Sequence, residues 1–168
     1  MTEFNYCPQC RAELVVTEGA GGESHPSCPK GHFTYYANPP AAASGVIEKD
    51  GKYLVLQNAH EPSKGQWEIV GGFIQAGEGA EEALVREAKE ETNLDVEILS
   101  YIGSFASVYG ETGIKTVSVA FHTKVTGGEL RISPESSDHR WVGLNEFPPM
   151  AHRDNQEAVK AFIASQYA

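Results

Sequence analysis

Cysteine is scarce in this chain, and its three copies all lie within the first thirty residues. An odd number of cysteines cannot close into a complete set of disulfide bonds, which makes a disulfide framework a poor explanation of stability. We therefore interpret Cys7, Cys10 and Cys28 as metal ligands. A chain of 168 residues buries enough apolar surface for one ordinary domain and a small appendage without cross-links.

Basic residues and long apolar runs are scarce as well. Lysine and arginine number 13 against 23 aspartates and glutamates, so the formal charge is −10 and a polyanion is repelled unless a cation or a local basic cluster intervenes. No apolar run approaches the roughly 18 residues that a membrane span needs, and the amino terminus lacks the pattern of a leader. We expect a soluble, cytoplasmic protein that binds neither DNA nor a membrane.

The residue pattern divides the chain into two parts, residues 1–38 and residues 39–168. The first part is rich in Cys, Pro and Gly and cannot make a core of its own. In the second part, strands with one helix inserted and another at the end predict an α+β fold, a mixed α/β sandwich, rather than alternating βαβ units. The predicted strands cover residues 13–17, 41–48, 52–57, 96–108, 117–125 (half buried) and 140–142, and the predicted helices cover residues 79–93 and 154–167.

Three glutamates share one face of the first predicted helix. A helix turns about 100° per residue, so Glu87, Glu90 and Glu91 lie within an arc of roughly 100°. Like charges at these spacings repel one another, and the carboxyl end of a helix favours cations instead. Bound Mg²⁺ would reverse both penalties, because it accepts clustered carboxylate oxygens and bridges to substrate phosphates. The alternative is a solvated acidic face.

The residues around these glutamates resemble the Nudix box, G-x5-E-x7-R-E-U-x-E-E-x-G-U with U aliphatic. Gly72, Glu78 and the run from Arg86 onward match it, and only Asn93 departs, standing in place of the last glycine. That glycine resembles a helix C-cap, where Asn tolerates the left-handed conformation. The preceding run GQWEIVGGF is similar to the family's G-x-W-x-x-P-G-G-F entry, with Val70 in place of proline. The resemblance implies the Nudix fold.

The resemblance also implies roles for individual residues and a reaction. Arg86 matches the residue that orients the glutamates, whereas its pattern alone is equally typical of a surface ion pair with Glu82 or Glu90. Glu78 matches the first acidic position of the box. Mg²⁺ or Mn²⁺ is the implied cofactor, and its implied ligands are Glu87, Glu90, Glu91 and the carbonyl of Gly71. The general base stays open among Glu90, Glu111 and Glu135.

The amino-terminal cysteines have the spacing of a structural Zn²⁺ site. Cys7 and Cys10 are followed by Cys28 and then by His32, a Cys₃His set of the tetrahedral kind. Metal binding would replace the missing core, because its free energy becomes folding free energy. His25 is the alternative fourth ligand, and a redox role of Cys7 and Cys10 is the competing interpretation.

A zinc ribbon in front of a Nudix domain resembles the NADH pyrophosphatase and ADP-ribose pyrophosphatase branch of the family. The resemblance implies hydrolysis of a nucleoside diphosphate derivative to a nucleoside monophosphate and a second phosphomonoester. The tail motif S-Q-P-W-P-x-P-x-S that marks NADH specificity is not found after the box, so ADP-ribose or another nucleotide sugar has equal weight. The alternatives are a nucleoside triphosphate housecleaning enzyme and a non-catalytic nucleotide sensor. Related enzymes are commonly homodimers.

Overall fold

The computed structural model describes residues 4–19, 21–110 and 112–167. The chain divides into two compact units, Met1–Asn38 and Pro39–Ala168. Among the described residues, no helix has the length and the apolar character that a membrane crossing requires.

The first unit contains a small antiparallel sheet of two strands, β1 (Val15–Glu18) and β2 (Ser24–Ser27). β1 lies slightly later than the predicted strand at residues 13–17. β2 was not predicted, because its sequence Ser-His-Pro-Ser has no apolar alternation. Pro26 can lie in this strand because a two-stranded sheet has only edge strands, where a missing N–H donor is tolerated.

The described residues of the second unit form one mixed sheet of seven strands and two helices. β3 lies in the middle of the strand order β5-β4-β3-β8-β7, with β6 also pairing with β3 and β9 with β4. β3 and β8 run parallel, and the other described pairs of this sheet are antiparallel. The predicted fold class is confirmed. The bounds are β3 (Ala41–Lys49), β4 (Lys52–Asn58), β5 (Trp67–Glu68), β6 (Val70–Phe73), α1 (Ala80–Thr92), β7 (Leu94–Tyr109), β8 (Ile114–Gly128), β9 (Ser136–Val142) and α2 (Arg153–Ser165).

The hairpin between β3 and β4 turns where the sequence predicts it. Asp50 and Gly51 have φ angles of 52° and 71°, and two successive residues with positive φ are typical of the two-residue turn that joins tightly paired antiparallel strands. This turn fixes β4 beside β3.

Both faces of the sheet are covered, each by one helix. The neighbours Val46 and Ile47 on β3 belong to different apolar clusters: Ile47 packs with Leu84 of α1, and Val46 packs with Phe162 of α2. Residues 117–125 form a strand as predicted, but burial on one face only is wrong, because Ala120 belongs to the α2 cluster while Phe121 of the same strand belongs to the α1 cluster. The middle of this strand is therefore covered on both faces, as expected for a strand between two helical layers.

Candidate active site

Helix α1 lies close against the centre of the sheet because of Gly45. A Cβ on this glycine would lie only 2.8 Å from Cδ1 of Leu84, so the absence of a side chain leaves the space that the buried Leu84 of α1 fills. The helix begins after Gly79, whose N–H donates to the Glu82 carboxylate at 2.8 Å. It ends at Asn93, which has φ 58° and ψ 14° in the left-handed region, as the sequence predicts. The last turn of α1 is thereby fixed over the sheet.

Arg86 of α1 lies among three carboxylates. Its Nη2 lies 2.7 Å from Glu78, and its Nη1 lies 2.7 Å from Glu87 and 3.1 Å from Glu90. Nη2 also donates to the carbonyl of Phe73 at 3.1 Å, and Nε donates to both oxygens of Glu78 at 3.2 Å. Arg86 thus holds three carboxylates at once and is more than a surface ion pair.

The ion pairs of Arg86 shift the pKa values of the groups involved. The hydrogen bond from Arg86 lowers the pKa of Glu78, and the hydrogen bonds to Glu78 and Glu87 raise the pKa of Arg86 further above its ordinary value. Glu78 and Arg86 therefore stay charged, and Glu78 holds Nε and Nη2 of Arg86 while Nη1 contacts Glu87.

Gly71 and Gly72 are required for two different reasons. A Cβ on Gly71 would collide with the carbonyl oxygen of Ala43 on β3, so this glycine allows β6 to pair closely with β3. A Cβ on Gly72 would collide with the carboxylate of Glu87, so this glycine leaves the space that the carboxylate occupies. Only Gly72 directly makes room for one of the three glutamates of α1.

Glu91 lies where the negative charges converge. Its partial burial, followed by the charges of Glu68, Glu87 and Glu135, raises its pKa to about 9, although the N–H of Gly71 acts in the opposite direction. A carboxyl group at neutral pH normally loses its proton, so an environment that retains it is short of positive charge. This donor set fits a divalent cation, which would supply that charge.

A cleft of about 550 Å³ collects most of the residues that the sequence singles out. We call it the acidic cleft. Glu78 lies behind Arg86 and is not part of its lining, and Glu111 lies outside the described residues. The predicted residues that line the acidic cleft are Gly71, Arg86, Glu87, Glu90, Glu91 and Glu135.

Sequence reasoning missed a second group of polar residues in the acidic cleft. Glu68 of β5 accepts a hydrogen bond from Nδ2 of Asn58 at 3.2 Å, and its other oxygen lies 3.6 Å from Nε2 of His152. The bond to Glu68 raises the pKa of His152. Asp154 of α2 also lines the cleft, and its Oδ1 is buried without a hydrogen-bond partner among the described residues. An orphaned carboxylate oxygen is a further sign that a positive ligand fits here.

Backbone contacts bring the start of α2 to the acidic cleft. The N–H of Ala151 donates to the carbonyl of Trp67 at 2.7 Å, and the side chain of Asn155 accepts from the N–H of Ile69 at 3.1 Å. These bonds flank Glu68 and hold His152 beside it. Glu68 carried a signal, as an acid within the apolar run Trp-Glu-Ile-Val, whereas nothing near His152 in the sequence indicated the cleft.

The first unit gathers the predicted zinc ligands. One ligand atom from each of four side chains lies within 4.8 Å of the others, and the four are Cys7, Cys10, Cys28 and His32. His25 does not belong to this group, and its ring packs against Tyr36 at a centroid distance of 4.9 Å. The donor set fits a tetrahedral structural metal.

Tight turns form around the cysteines. Arg11 and Gly31 have φ angles of 60° and 73°, and their N–H groups donate to the carbonyls of Cys7 at 2.8 Å and of Cys28 at 2.9 Å. Burial alone would raise the pKa of the Cys28 thiol. Hydrogen bonds from the backbone of His32 and Lys30 outweigh this effect and lower the pKa to about 7. A thiol with this pKa readily supplies the thiolate that a metal requires.

Comparisons with known proteins agree on one family. A family model of the NUDIX domain matches residues 37–162. The ADP-ribose pyrophosphatase of Methanocaldococcus jannaschii is 34% identical over 131 residues, which are 78% of this chain and 77% of that protein. The NAD-capped RNA hydrolase NudC of Vibrio parahaemolyticus is 26% identical over 149 residues, 88% of this chain, and the chain spans only 54% of that relative. A crystal structure of a NUDIX hydrolase from Nitrosomonas europaea has a TM-score of 0.77 at 26% identity, covering 98% of this chain and 93% of that one.

Proposed function

This chain belongs to the Nudix hydrolase family, and we propose that it hydrolyses the pyrophosphate bond of ADP-ribose in a reaction that depends on Mg²⁺ or Mn²⁺. The products would be AMP and ribose 5-phosphate. Support for ADP-ribose comes from the relative in Methanocaldococcus jannaschii, which aligns over more than three quarters of both chains. NADH is the second candidate, because several relatives act on NAD-capped RNA, although the chain spans about half of their length or less.

The observation that carries this proposal is the convergence of carboxylates on Glu91. A partly buried acid whose pKa is raised to about 9 by burial and by three further acids is poorly placed unless a cation binds there. We propose that Glu87, Glu90, Glu91 and the carbonyl of Gly71 hold the ion. When bound, the ion would offset charge on the diphosphate and lower the pKa of a water molecule.

The remaining predicted site residues, in and behind the cleft, would orient the ligands and accept a proton. Arg86 fixes Glu87 and Glu90 through its ion pairs, and Glu78 fixes Arg86. For the general base we favour Glu135 over Glu90. Glu90 is paired with Arg86, whereas Glu135 has no ion pair among the described residues and lines the cleft, which leaves its carboxylate available to a water molecule. Glu111 remains an alternative.

We further propose that residues 1–38 form a zinc ribbon and that residues 39–168 form the Nudix hydrolase domain. Cys7, Cys10, Cys28 and His32 would hold Zn²⁺ in a structural role, since all four positions are taken by protein ligands and none is left for a substrate. The position of these ligands in a separate compact unit supports a role in folding that unit.

Product analysis tests the proposed reaction. The full chain, purified without chelator, is incubated with ADP-ribose, NADH and nucleoside triphosphates in Mg²⁺ or Mn²⁺. We expect AMP and ribose 5-phosphate from ADP-ribose, and no inorganic pyrophosphate from the triphosphates. We expect Glu91→Gln to lose at least about 100-fold in kcat/KM, because loss of a metal ligand removes several kcal/mol of transition-state stabilisation.

A matched control separates the site from the general charge of the helix. Glu81 is an exposed glutamate in the first turn of α1, so Glu81→Gln makes the same chemical change away from the acidic cleft. We expect this variant to stay within about twofold of wild type, since surface substitutions are usually close to neutral. Release of pyrophosphate from triphosphates with intact ADP-ribose, or equal activity of both variants, would contradict the proposal.

A further inference from the structure

A second cavity of the second unit adjoins the acidic cleft and differs from it in charge. Its volume is about 790 Å³, which lies within the range of small-molecule sites. It shares four lining residues with the acidic cleft, so the two form one continuous depression. The shared residues are Ser107, Val108, Thr116 and His152.

Two cations line this cavity, which we call the basic cavity. They are Lys115 of β8 and Arg153 of α2, and no carboxylate occurs among the lining residues that the structure describes. This is unusual in a chain of net charge −10. A third cavity of about 700 Å³ also adjoins the cleft, but it is lined by acids that include Glu61 and Glu135. An anionic group that extends from the cleft is therefore attracted to one side and repelled from the other.

The two cations are available to a ligand. Lys115 makes no ion pair with a described residue, and it lies opposite Val108 in the β7–β8 pair. Arg153 is paired only through Nε, which lies 2.8 Å from Glu157, while its two terminal nitrogens have no described partner. Arg153 is also the first residue of α2, where the helix dipole disfavours a cation and favours an anion. A bound anion would reverse this local penalty.

The walls between the cations suit a ring system. Pro39, Pro62 and Val117 contribute apolar surface, and Ser63 and Gln66 contribute polar groups. A cavity of this kind accommodates a base or sugar ring with its substituents.

We propose that the basic cavity binds the half of the substrate that extends beyond the scissile diphosphate, and that Lys115 and Arg153 select substrates whose ribose carries an additional phosphate ester there. This inference deepens the proposed pyrophosphatase function and rests on it. The ligand class is a nucleoside diphosphate derivative with a phosphate group outside the bond that is cleaved.

Calorimetric binding of product-like probes to the full chain tests the inference without turnover. The probes are AMP, adenosine 2′,5′-bisphosphate and adenosine 3′,5′-bisphosphate. The 2′-phosphate stands for a dinucleotide phosphorylated on its ribose, and the 3′-phosphate stands for the first linkage of an RNA chain. We expect at least one bisphosphate to bind about tenfold more tightly than AMP, as two partly exposed charge-assisted contacts allow. The tighter isomer identifies the position of the phosphate.

Charge-matched variants show whether the two cations carry the preference. In Lys115→Gln/Arg153→Gln we expect the preference to fall to about twofold or less, whereas Lys124→Gln/Lys160→Gln should keep it. Lys124 and Lys160 are exposed residues of the second unit that do not line the basic cavity, so the control removes the same net charge. Thermal melts of both variants confirm that they are folded. Equal binding of all three probes to wild type, or an equal loss in both variants, would overturn the inference.

The outcome is separable from that of the proposed function. A chain that hydrolyses ADP-ribose but binds AMP and both bisphosphates equally has the proposed activity and lacks the phosphate subsite. A chain that binds a bisphosphate preferentially through Lys115 and Arg153 but cleaves no ADP-ribose has the subsite and a different reaction.

Discussion

Replacing Glu91 by glutamine should stabilise the metal-free protein, and increasingly so as the pH rises. Burial and the charges of Glu68, Glu87 and Glu135 raise the pKa of Glu91 to about 9, against 4.5 for an ordinary glutamate. Between these two values the folded state retains a proton that the unfolded state has released. Stability contributed by this group is therefore complete below pH 4.5 and is lost as the pH rises toward 9. Glutamine has no proton to lose and removes this dependence.

The size of the effect follows from linkage. Each pH unit between the two pKa values changes the unfolding free energy by about 1.4 kcal/mol, so wild type should lose about 4 kcal/mol relative to Glu91→Gln between roughly pH 5 and pH 8. For a domain of this size, 1 kcal/mol corresponds to about 2–4 °C in Tm, which gives a relative shift of roughly 10 °C.

The assay is differential scanning calorimetry of both proteins without Mg²⁺ or Mn²⁺, on protein purified without chelator so that the Zn²⁺ proposed for the first unit is retained. Glu81→Gln serves as the control, because it removes an exposed charge from the same helix and should follow wild type at every pH. Saturating Mg²⁺ should reverse the order at pH 8, since wild type then gains a ligand that the variant lacks. If the Tm difference between wild type and Glu91→Gln were the same at both pH values, the desolvated, repelled carboxylate described above would be refuted.

Three further outcomes follow from the described contacts. Gly72→Ala should stay folded and lose at least about tenfold in kcat, because its Cβ displaces the flexible carboxylate of Glu87. Gly71→Ala should instead fold poorly, because its Cβ meets the backbone of β3. Melting curves and rates measured on the same samples distinguish the two. Asn93→Ala should cost about 1–2 kcal/mol of stability, measured by urea unfolding, because alanine is strained in the left-handed conformation at the end of α1, and a neutral result would contradict this. Cys10→Ser should abolish bound Zn²⁺ in elemental analysis and unfold the first unit, and a variant that kept both would remove the proposed metal role.

Turns and helix ends could be predicted from the sequence where the residues within the segment decide its backbone conformation. The end of α1 at Asn93 and the turn at Asp50 and Gly51 were both readable, because left-handed backbone strongly restricts which residues can occupy it. β5 and β6 were missed, because a strand of two residues and one containing Gly71 and Gly72 have no apolar alternation. They form strands only because β4 and β3 offer partners.

Some residues of the acidic cleft lie in one local segment, and others are brought together only by the fold. Glu87, Glu90 and Glu91 lie on one helix, so their spacing alone placed them together. His152 meets Glu68 only because α2 returns to β5 through backbone hydrogen bonds, and no pattern within either segment encodes that meeting. The resemblance implied that Arg86 orients the glutamates, and its pattern alone was equally typical of a surface ion pair with Glu82 or Glu90. The fold supplies Glu78 and Glu87 in addition, and Glu82 instead accepts a hydrogen bond at the start of the helix.

The contacts of Arg86 have a consequence for how a nucleotide is held. A guanidinium has five N–H groups, and here Glu78, Glu87, Glu90 and the carbonyl of Phe73 accept from all three of its nitrogens. Arg86 therefore has no N–H group left to offer a phosphate oxygen. At this point of the cleft the attraction for a diphosphate then depends on the divalent ion, so the ion and the nucleotide should each tighten the binding of the other by the same factor.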